Sequence, residues 1–402
     1  MSSRRRLRLV DRLVLAEGPA PASALTDHLI TARTRLLVLD LDRTTHLGRN
    51  MGELLGWEVG AFLTYGRDEL RRMEAARTTG RLIFDRARPL ASLRYLTHGA
   101  RTWAGPGLYY LFFGKIAART PSLRRLAHRA FGPDPIRVVQ RVPQNALLRV
   151  LSTVPAATQR SLAERVWDRH ASEQVLDRAE LARLRERAPD LTVVVSSASP
   201  QVMVEVARQR LGADVAHGST VGRINSGPAK IARLEDRFSE LMRDPSVEKV
   251  GITDTGYGED RCWVDHLTRV ADVNSVHPFS PIVMEGSPVR EICSAQLMTH
   301  GERERRARAP EGWADPRRVS PVRERERVFE RPELERRLGD LLARAERLAA
   351  HPARYAWELD ELLREARARL DLPEPVASDA RPEGGAAALD PTLDPALATS
   401  RH

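Results

Sequence analysis

Leu36-Leu37-Val38-Leu39-Asp40-Leu41-Asp42-Arg43-Thr44 is the stretch on which the fold of this chain turns. Four apolar residues run directly into two carboxylates two positions apart. The length and branching of the run suit a buried parallel strand with apolar neighbours on both faces. In extended backbone, residues two apart point to the same side, so Asp40 and Asp42 address one place. Leu191-Thr192-Val193-Val194-Val195 is a second such run and ends in Ser196-Ser197. Lys249–Thr253 is a third and leads to Asp254, while Val270–Val273 reads as one more short strand. Shorter extended pieces are expected at Asp214–Ala216 and Ser219–Ile224. Residues 201–211, closed by Gly212, and 228–243 read as helices. Strands alternating with helices predict an α/β fold, a three-layer Rossmann-like parallel sheet with helices on both faces. Ligands of such sheets bind beyond the carboxyl ends of the strands, where Asp40, Ser197 and Asp254 would meet.

Working outward, residues 1–33 read as a basic amphipathic lead-in followed by a linker rich in Pro, Ala and Gly. Residues 34–48 and 189–300 form the expected catalytic core. Residues 49–188 have a mostly helical pattern, broken at Gly105-Pro106-Gly107 and Gly132-Pro133-Asp134-Pro135, and read as a helical insert. Residues 301–370 mix Arg and Glu closely and read as a solvated helical extension. Residues 371–402 have the composition of a disordered tail.

The chain has 402 residues, a length that favours two or three domains, and 42% are apolar, enough for a sizeable core. The formal net charge is +10, from 64 Lys and Arg against 54 Asp and Glu. Only Lys115, Lys230 and Lys249 are lysines. In the extension Arg alternates with Glu, which argues for self-neutralised helices rather than a basic stripe for nucleic acid. Two cysteines exclude a disulfide scaffold and form no metal-knuckle spacing. No apolar run approaches the roughly 20 residues of a membrane span. Ser3-Arg4-Arg5 faintly resembles a twin-arginine signal, but Asp11, Arg12 and Glu17 interrupt the apolar stretch that export needs. A cytoplasmic protein is expected.

The ordered set Asp40, Asp42, Ser197, Lys230, Asp254 fits phosphoryl transfer. One carboxylate, Asp40, can attack phosphorus. The other, Asp42, can protonate the leaving oxygen and then deprotonate water. Two close carboxylates repel each other. A Mg²⁺ ion held by Asp40, the main-chain carbonyl of Asp42 and Asp254 would compensate, since hard oxygen ligands suit it. Ser197 can donate to a phosphoryl oxygen, and Lys230 brings positive charge. Each residue alone has a bland reading, as a solvated turn, a helix cap or a surface lysine. Their order and their places at strand ends are what favour function.

At these residues the chain resembles the haloacid dehalogenase-like hydrolase superfamily, most closely its phosphoserine-phosphatase-like branch. Leu36–Thr44 matches the first motif, Val193–Ser197 the second, with Ser197-Ala198-Ser199-Pro200 similar to that branch, and Gly227-Pro228-Ala229-Lys230 the third. The fourth departs from the pattern: Thr253 stands in place of Gly before Asp254. The resemblance implies that Thr44, Ser197 and Lys230 bind phosphate. It implies that Asp40, Asp42, Asp254 and a second acid serve the metal. Glu259 suits the family spacing better than Asp260. It implies that residues 49–188 are a helical cap, and residues 301–402 lie outside it. The expected activity is a Mg²⁺-dependent phosphatase acting through an aspartyl-phosphate on Asp40. Asp42 weighs against dehalogenation, which needs no acid for a leaving oxygen.

Leu108-Tyr109-Tyr110-Leu111-Phe112-Phe113, followed by Arg119, Arg124, Arg125 and Arg129, has three readings. It is the cap's own core, an apolar lip for a lipid-like phosphorylated substrate, or a peripheral contact with an anionic membrane. His46 reads as a loop residue near the site. The rival functions are a phosphotransferase of the same fold, and an Arg-rich binding protein for nucleic acid, lipid or protein with a degenerate core.

Overall fold

The computed structural model describes residues 7–75, 88–98, 135–256, 260–277, 279–307, 326–350 and 352–371. Its strands are β1 (Leu7–Leu9), β2 (Arg12–Ala20), β3 (Thr34–Leu39), β4 (Thr192–Pro200), β5 (Val215–Ser219), β6 (Glu248–Thr255), β7 (Arg269–His277), β8 (Ile282–Met284), β9 (Glu291–Leu297) and β10 (Glu326–Glu330). One eight-stranded sheet has the order β10-β2-β9-β7-β6-β3-β4-β5. Every pairing within it is parallel except that of β10 with β2. β1 and β8 form a separate antiparallel pair.

The sheet is buried on both faces because its strands are apolar at successive positions. Leu37, Leu39, Val193 and Val195 belong to one apolar cluster, while Leu36, Val38 and Val194 belong to the other. The first cluster is covered by α1 (Ala22–Leu29), α2 (Met51–Ala75), α4 (Ala156–Arg169), α5 (Arg178–Arg187) and α6 (Gln201–Leu211), with α3 (Pro135–Ser152) beside α2. The second is covered by α7 (Pro228–Arg237), α10 (Arg331–Ala349) and α11 (Pro352–Arg369). Between these in sequence lie the short α8 (Ser239–Arg243) and α9 (His300–Ala307). The architecture is a mixed α/β fold with a mostly parallel central sheet between two helical layers. No helix among the described residues is long and apolar enough to cross a membrane.

Three sequence expectations need correction. Residues 12–20 are not a lead-in: Leu13, Val14 and Leu15 are buried, and β2 pairs with β9 from Arg12↔Glu291 onward. Arg12 is tolerated at the strand's start because its guanidinium reaches the Glu291 carboxylate at 3.1 Å. Residues 22–29 are a core helix, with Ala22, Leu25 and Leu29 buried. The solvated extension also supplies a strand. β10 extends the sheet edge, and Phe329, Leu334, Leu338 and Leu341 are buried with the second cluster. Its Arg/Glu pairs occupy the outer faces of helices whose inner faces are apolar.

The expected piece at Ser219–Ile224 ends as a strand at Ser219, and Thr220 and Arg223 close a tight turn instead. The insert is helical throughout its described part, with a break in α2 at Gly66, whose φ is +79°. Its later helices join the main core: Leu162, Val166, Trp167, Leu181 and Leu184 belong to the cluster that covers the sheet. Residues 108–113 and 372–402 lie outside the described residues.

Candidate active site

β3 lies between β6 and β4, so the strands carrying Asp254, Asp40 and Ser197 are immediate neighbours. From β3 the chain proceeds to β4 and β5 on one side. β6 and β7 build the other side. The crevice between β3 and β6 is therefore a topological switch point, the customary ligand position in open parallel sheets.

Asp40 follows β3, and its amide donates to the Ile252 carbonyl at 3.0 Å, which ties it to β6. The residue is 7% exposed. Lys230 Nζ donates to Asp40 Oδ1 at 3.0 Å and to Asp260 Oδ2 at 2.9 Å. Gly227, with φ of +55°, makes the turn before α7, and Pro228 opens the helix. That turn and Pro228 set the start of the helix that carries Lys230 to the sheet. Lys230 Nζ also lies 5.3 Å from the Trp263 ring centroid, over its face.

Asp42 faces a different set of donors. Its Oδ1 accepts from the Met51 amide at 2.6 Å, and Oδ2 from Ser199 Oγ at 2.7 Å and Ser197 Oγ at 3.2 Å. Just after Asp42 the chain turns sharply, with Arg43 at φ of +60°. Thr44 Oγ1 is buried and has no hydrogen-bond partner in the structure. Asn225 holds the end of β4 from behind: its amide donates to the carbonyls of Ser197 at 3.1 Å and His217 at 2.6 Å.

The electrostatics follow from crowding. Burial pushes the Asp40 carboxyl well above its ordinary value; Lys230 opposes this, and Asp260, Asp254 and Asp42 add like-charge repulsion. Asp40, Asp254 and Asp260 bring carboxylates within electrostatic reach of one another, and oxygen donors of this kind are the type that Mg²⁺ takes. Asp254, on β6, is half-buried and acts on Asp40 through charge.

Asp40, Asp42, Thr44, Ser197, Lys230 and Asp254 all lie at this end of the sheet. Glu259 lies outside the described residues. Asp260 is in the site, fully buried, accepting from Thr253 Oγ1 at 2.6 Å as well as from Lys230. Sequence reasoning gave no role to Ser199, Asn225 or Thr253. Ser199 could have been noticed, because it is two residues beyond Ser197 on the same extended segment.

No model of a known protein family matches the chain, and no curated protein matches it. Among solved structures it is similar to a probable phosphoserine phosphatase from Vibrio cholerae, in unliganded form. The two share 12% identity with a TM-score of 0.26, over 61% of this chain and 58% of that one. The chain thus spans less than two thirds of that structure's length.

Proposed function

We propose that the chain is a Mg²⁺-dependent phosphatase that hydrolyses a phosphate monoester through an aspartyl-phosphate on Asp40. The observation that carries this reading is the buried Lys230 Nζ at 3.0 Å from Asp40, with a second carboxylate, Asp42, held apart from it by its own donors. A structural ion pair alone gives no reason for that second acid.

The phosphoryl group would be seated by Lys230, by Ser197 and by the unpartnered hydroxyl of Thr44. A carboxylate oxygen of Asp40 attacks phosphorus, and the bond to the ester oxygen breaks. Asp42 gives that oxygen its proton, so the product leaves as an alcohol. Water then attacks phosphorus and gives a proton to Asp42. The bond to Asp40 breaks, and inorganic phosphate departs. Asp260 positions Lys230, and Ser197, Ser199 and the Met51 amide fix the Asp42 carboxylate. Bound Mg²⁺, with Asp40, the Asp42 carbonyl and Asp254 as its protein ligands, supplies charge that offsets the crowded carboxylates and the phosphate. The insert begins at this site, through Met51, and returns to the strand ends at Asn145, whose side chain accepts from the Gly222 amide at 2.9 Å. That supports a cap that screens the substrate from water.

The test is a screen of sugar, amino-acid, nucleotide and lipid phosphates with Mg²⁺ and with EDTA. Turnover should need Mg²⁺ and vanish in Asp40→Asn, whose amide cannot attack phosphorus. No turnover of any ester, or activity persisting in Asp40→Asn, overturns the reading.

A further inference from the structure

A second cluster lies beside the proposed phosphatase site and takes no part in it. His46, His170 and Glu173 each offer one ligand atom, and these atoms lie within 4.8 Å of one another. Glu173 Oε2 is 3.3 Å from His170 Nδ1 and 3.6 Å from His46 Nε2. At a tetrahedral centre with bonds of about 2.0–2.1 Å, ligand atoms stand about 3.4 Å apart. The two distances are those of ligands around an ion.

Three further observations point the same way. Glu173 Oε2 is buried but makes no hydrogen bond of sound geometry. His46 is fully buried, its Nδ1 has no partner, and its Nε2 faces two oxygens, Glu173 Oε2 and the His170 carbonyl at 3.1 Å. Gly48 completes the cradle: a Cβ there would stand 1.4 Å from Glu173 Oε2 and 2.9 Å from His46 Cε1.

We infer that His46, His170 and Glu173 form a binding site for a borderline transition-metal cation, of which Zn²⁺ is the best fit. Imidazole nitrogens with one carboxylate suit Zn²⁺ and not Mg²⁺. His46 stands on one side of a junction between two chain segments, and His170 and Glu173 stand on the other. Leu47 donates its amide to the Glu173 carbonyl and Val175 donates to the Thr45 carbonyl, both at 2.9 Å. The ion therefore clamps the loop that follows Asp42 to the chain returning from the insert. The His170 and Glu173 side chains are 18% and 38% exposed, which gives the ion a way in. The inference does not depend on the phosphatase reading.

The experiment uses the full chain without a histidine tag, stripped with a chelating resin. Zn²⁺ is titrated in competition with a chromophoric chelator, and Co²⁺ binding is followed by its visible absorption. One tight equivalent is expected, with the intense Co²⁺ bands of a four-coordinate site, and excess Mg²⁺ should not displace it. His170→Ala and Glu173→Gln, at partly exposed positions, should each weaken binding roughly tenfold or more. Zn²⁺ should raise the melting temperature of the wild type and not of these variants. Asp254→Asn and His28→Ala should bind as the wild type does, because they alter the proposed Mg²⁺ site and the separate cluster of His28, Glu291 and Cys293. Wild-type affinity in both ligand variants, loss of binding in either control, or no tight equivalent at all would overturn the assignment.

Discussion

Lys230 Nζ and Asp40 Oδ1, from residues 190 positions apart in sequence, meet at 3.0 Å under the carboxyl ends of the parallel strands. The same nitrogen reaches Asp260, so one compact ammonium serves two carboxylates and sits over Trp263. Lys230→Met should lower turnover by about 10²–10³-fold, the usual cost of removing a charge-stabilising donor. It should also destabilise the fold by about 3–5 kcal/mol, because two buried carboxylates lose their partner. Lys230→Arg should rescue neither property, since a planar fork does not fit this point contact. Steady-state kinetics and thermal unfolding read both effects; an active Arg variant would contradict the geometry.

Asp42→Asn should slow formation and hydrolysis of the phosphoenzyme by about 10²–10⁴-fold. Ser199→Ala should cost roughly ten- to a hundredfold, in keeping with about 1.5–3 kcal/mol for a hydrogen bond to a charged group. Ser197→Ala should affect KM as well as kcat, because Ser197 is assigned to the phosphate and its bond to Asp42 is longer. Single-turnover kinetics with a chromogenic phosphate separates the steps. Equal effects from the two serines would remove the distinction.

The strand ends and the first carboxylate pair were legible in the sequence because each apolar run stops at a polar residue. Lys230 was legible through its rarity. The partnership of Asp260 was not, since the family spacing favoured Glu259. The edge strand β10 and its neighbour β2 were missed because charged residues mask their apolar ones. In β2 the charges of Arg12 and Glu17 hide the buried triplet Leu13-Val14-Leu15. In β10 the burial of Phe329 is hidden within a run of Arg and Glu. A side chain at a strand's end can carry charge to solvent or to a partner while its neighbours are buried, and periodicity does not register that.

Asp272 gives a pH signature. It is fully buried on β7, Ser294 Oγ donates to it at 3.0 Å, and burial raises its pKa to about 7 against the ordinary 3.8. Between these values the folded chain keeps a proton that the unfolded chain releases. Its contribution to stability is therefore complete below the unfolded pKa and is lost as pH rises towards 7. Asp272→Asn should flatten this slope and gain relative stability at pH 8, by something on the order of a few kcal/mol. Denaturant midpoints for both proteins at pH 5 and pH 8 check the sign; parallel curves would refute it.

Gly251 supports the site from below. A Cβ there would stand 2.5 Å from Trp263 Cε3 and 2.6 Å from Leu267 Cδ1. Gly251→Ala should displace the indole that lies under Lys230 and cost about 1–3 kcal/mol by overpacking. The loss of activity should exceed what the loss of stability explains at low temperature. A variant with native activity would show that the indole can shift freely.

A chain ended at residue 300 keeps every proposed phosphatase residue but loses β10 and the helices that bury Leu334, Leu338 and Leu341. It should be insoluble or partly unfolded, as judged by far-ultraviolet circular dichroism and size-exclusion chromatography. A soluble, active fragment would make 301–370 an accessory.

The parallel pairing of β2 with β9 also sets a timetable for synthesis on the ribosome. Arg12 waits for Glu291, 279 residues later, and β2 gains its other neighbour only with β10. Through most of translation, Leu13-Val14-Leu15 is an emerged apolar strand with neither edge paired. Such segments invite pairing with other nascent chains until the late strands arrive. Yield should thus respond to the speed of elongation and to trigger-type chaperones more than the stability of the finished sheet would suggest.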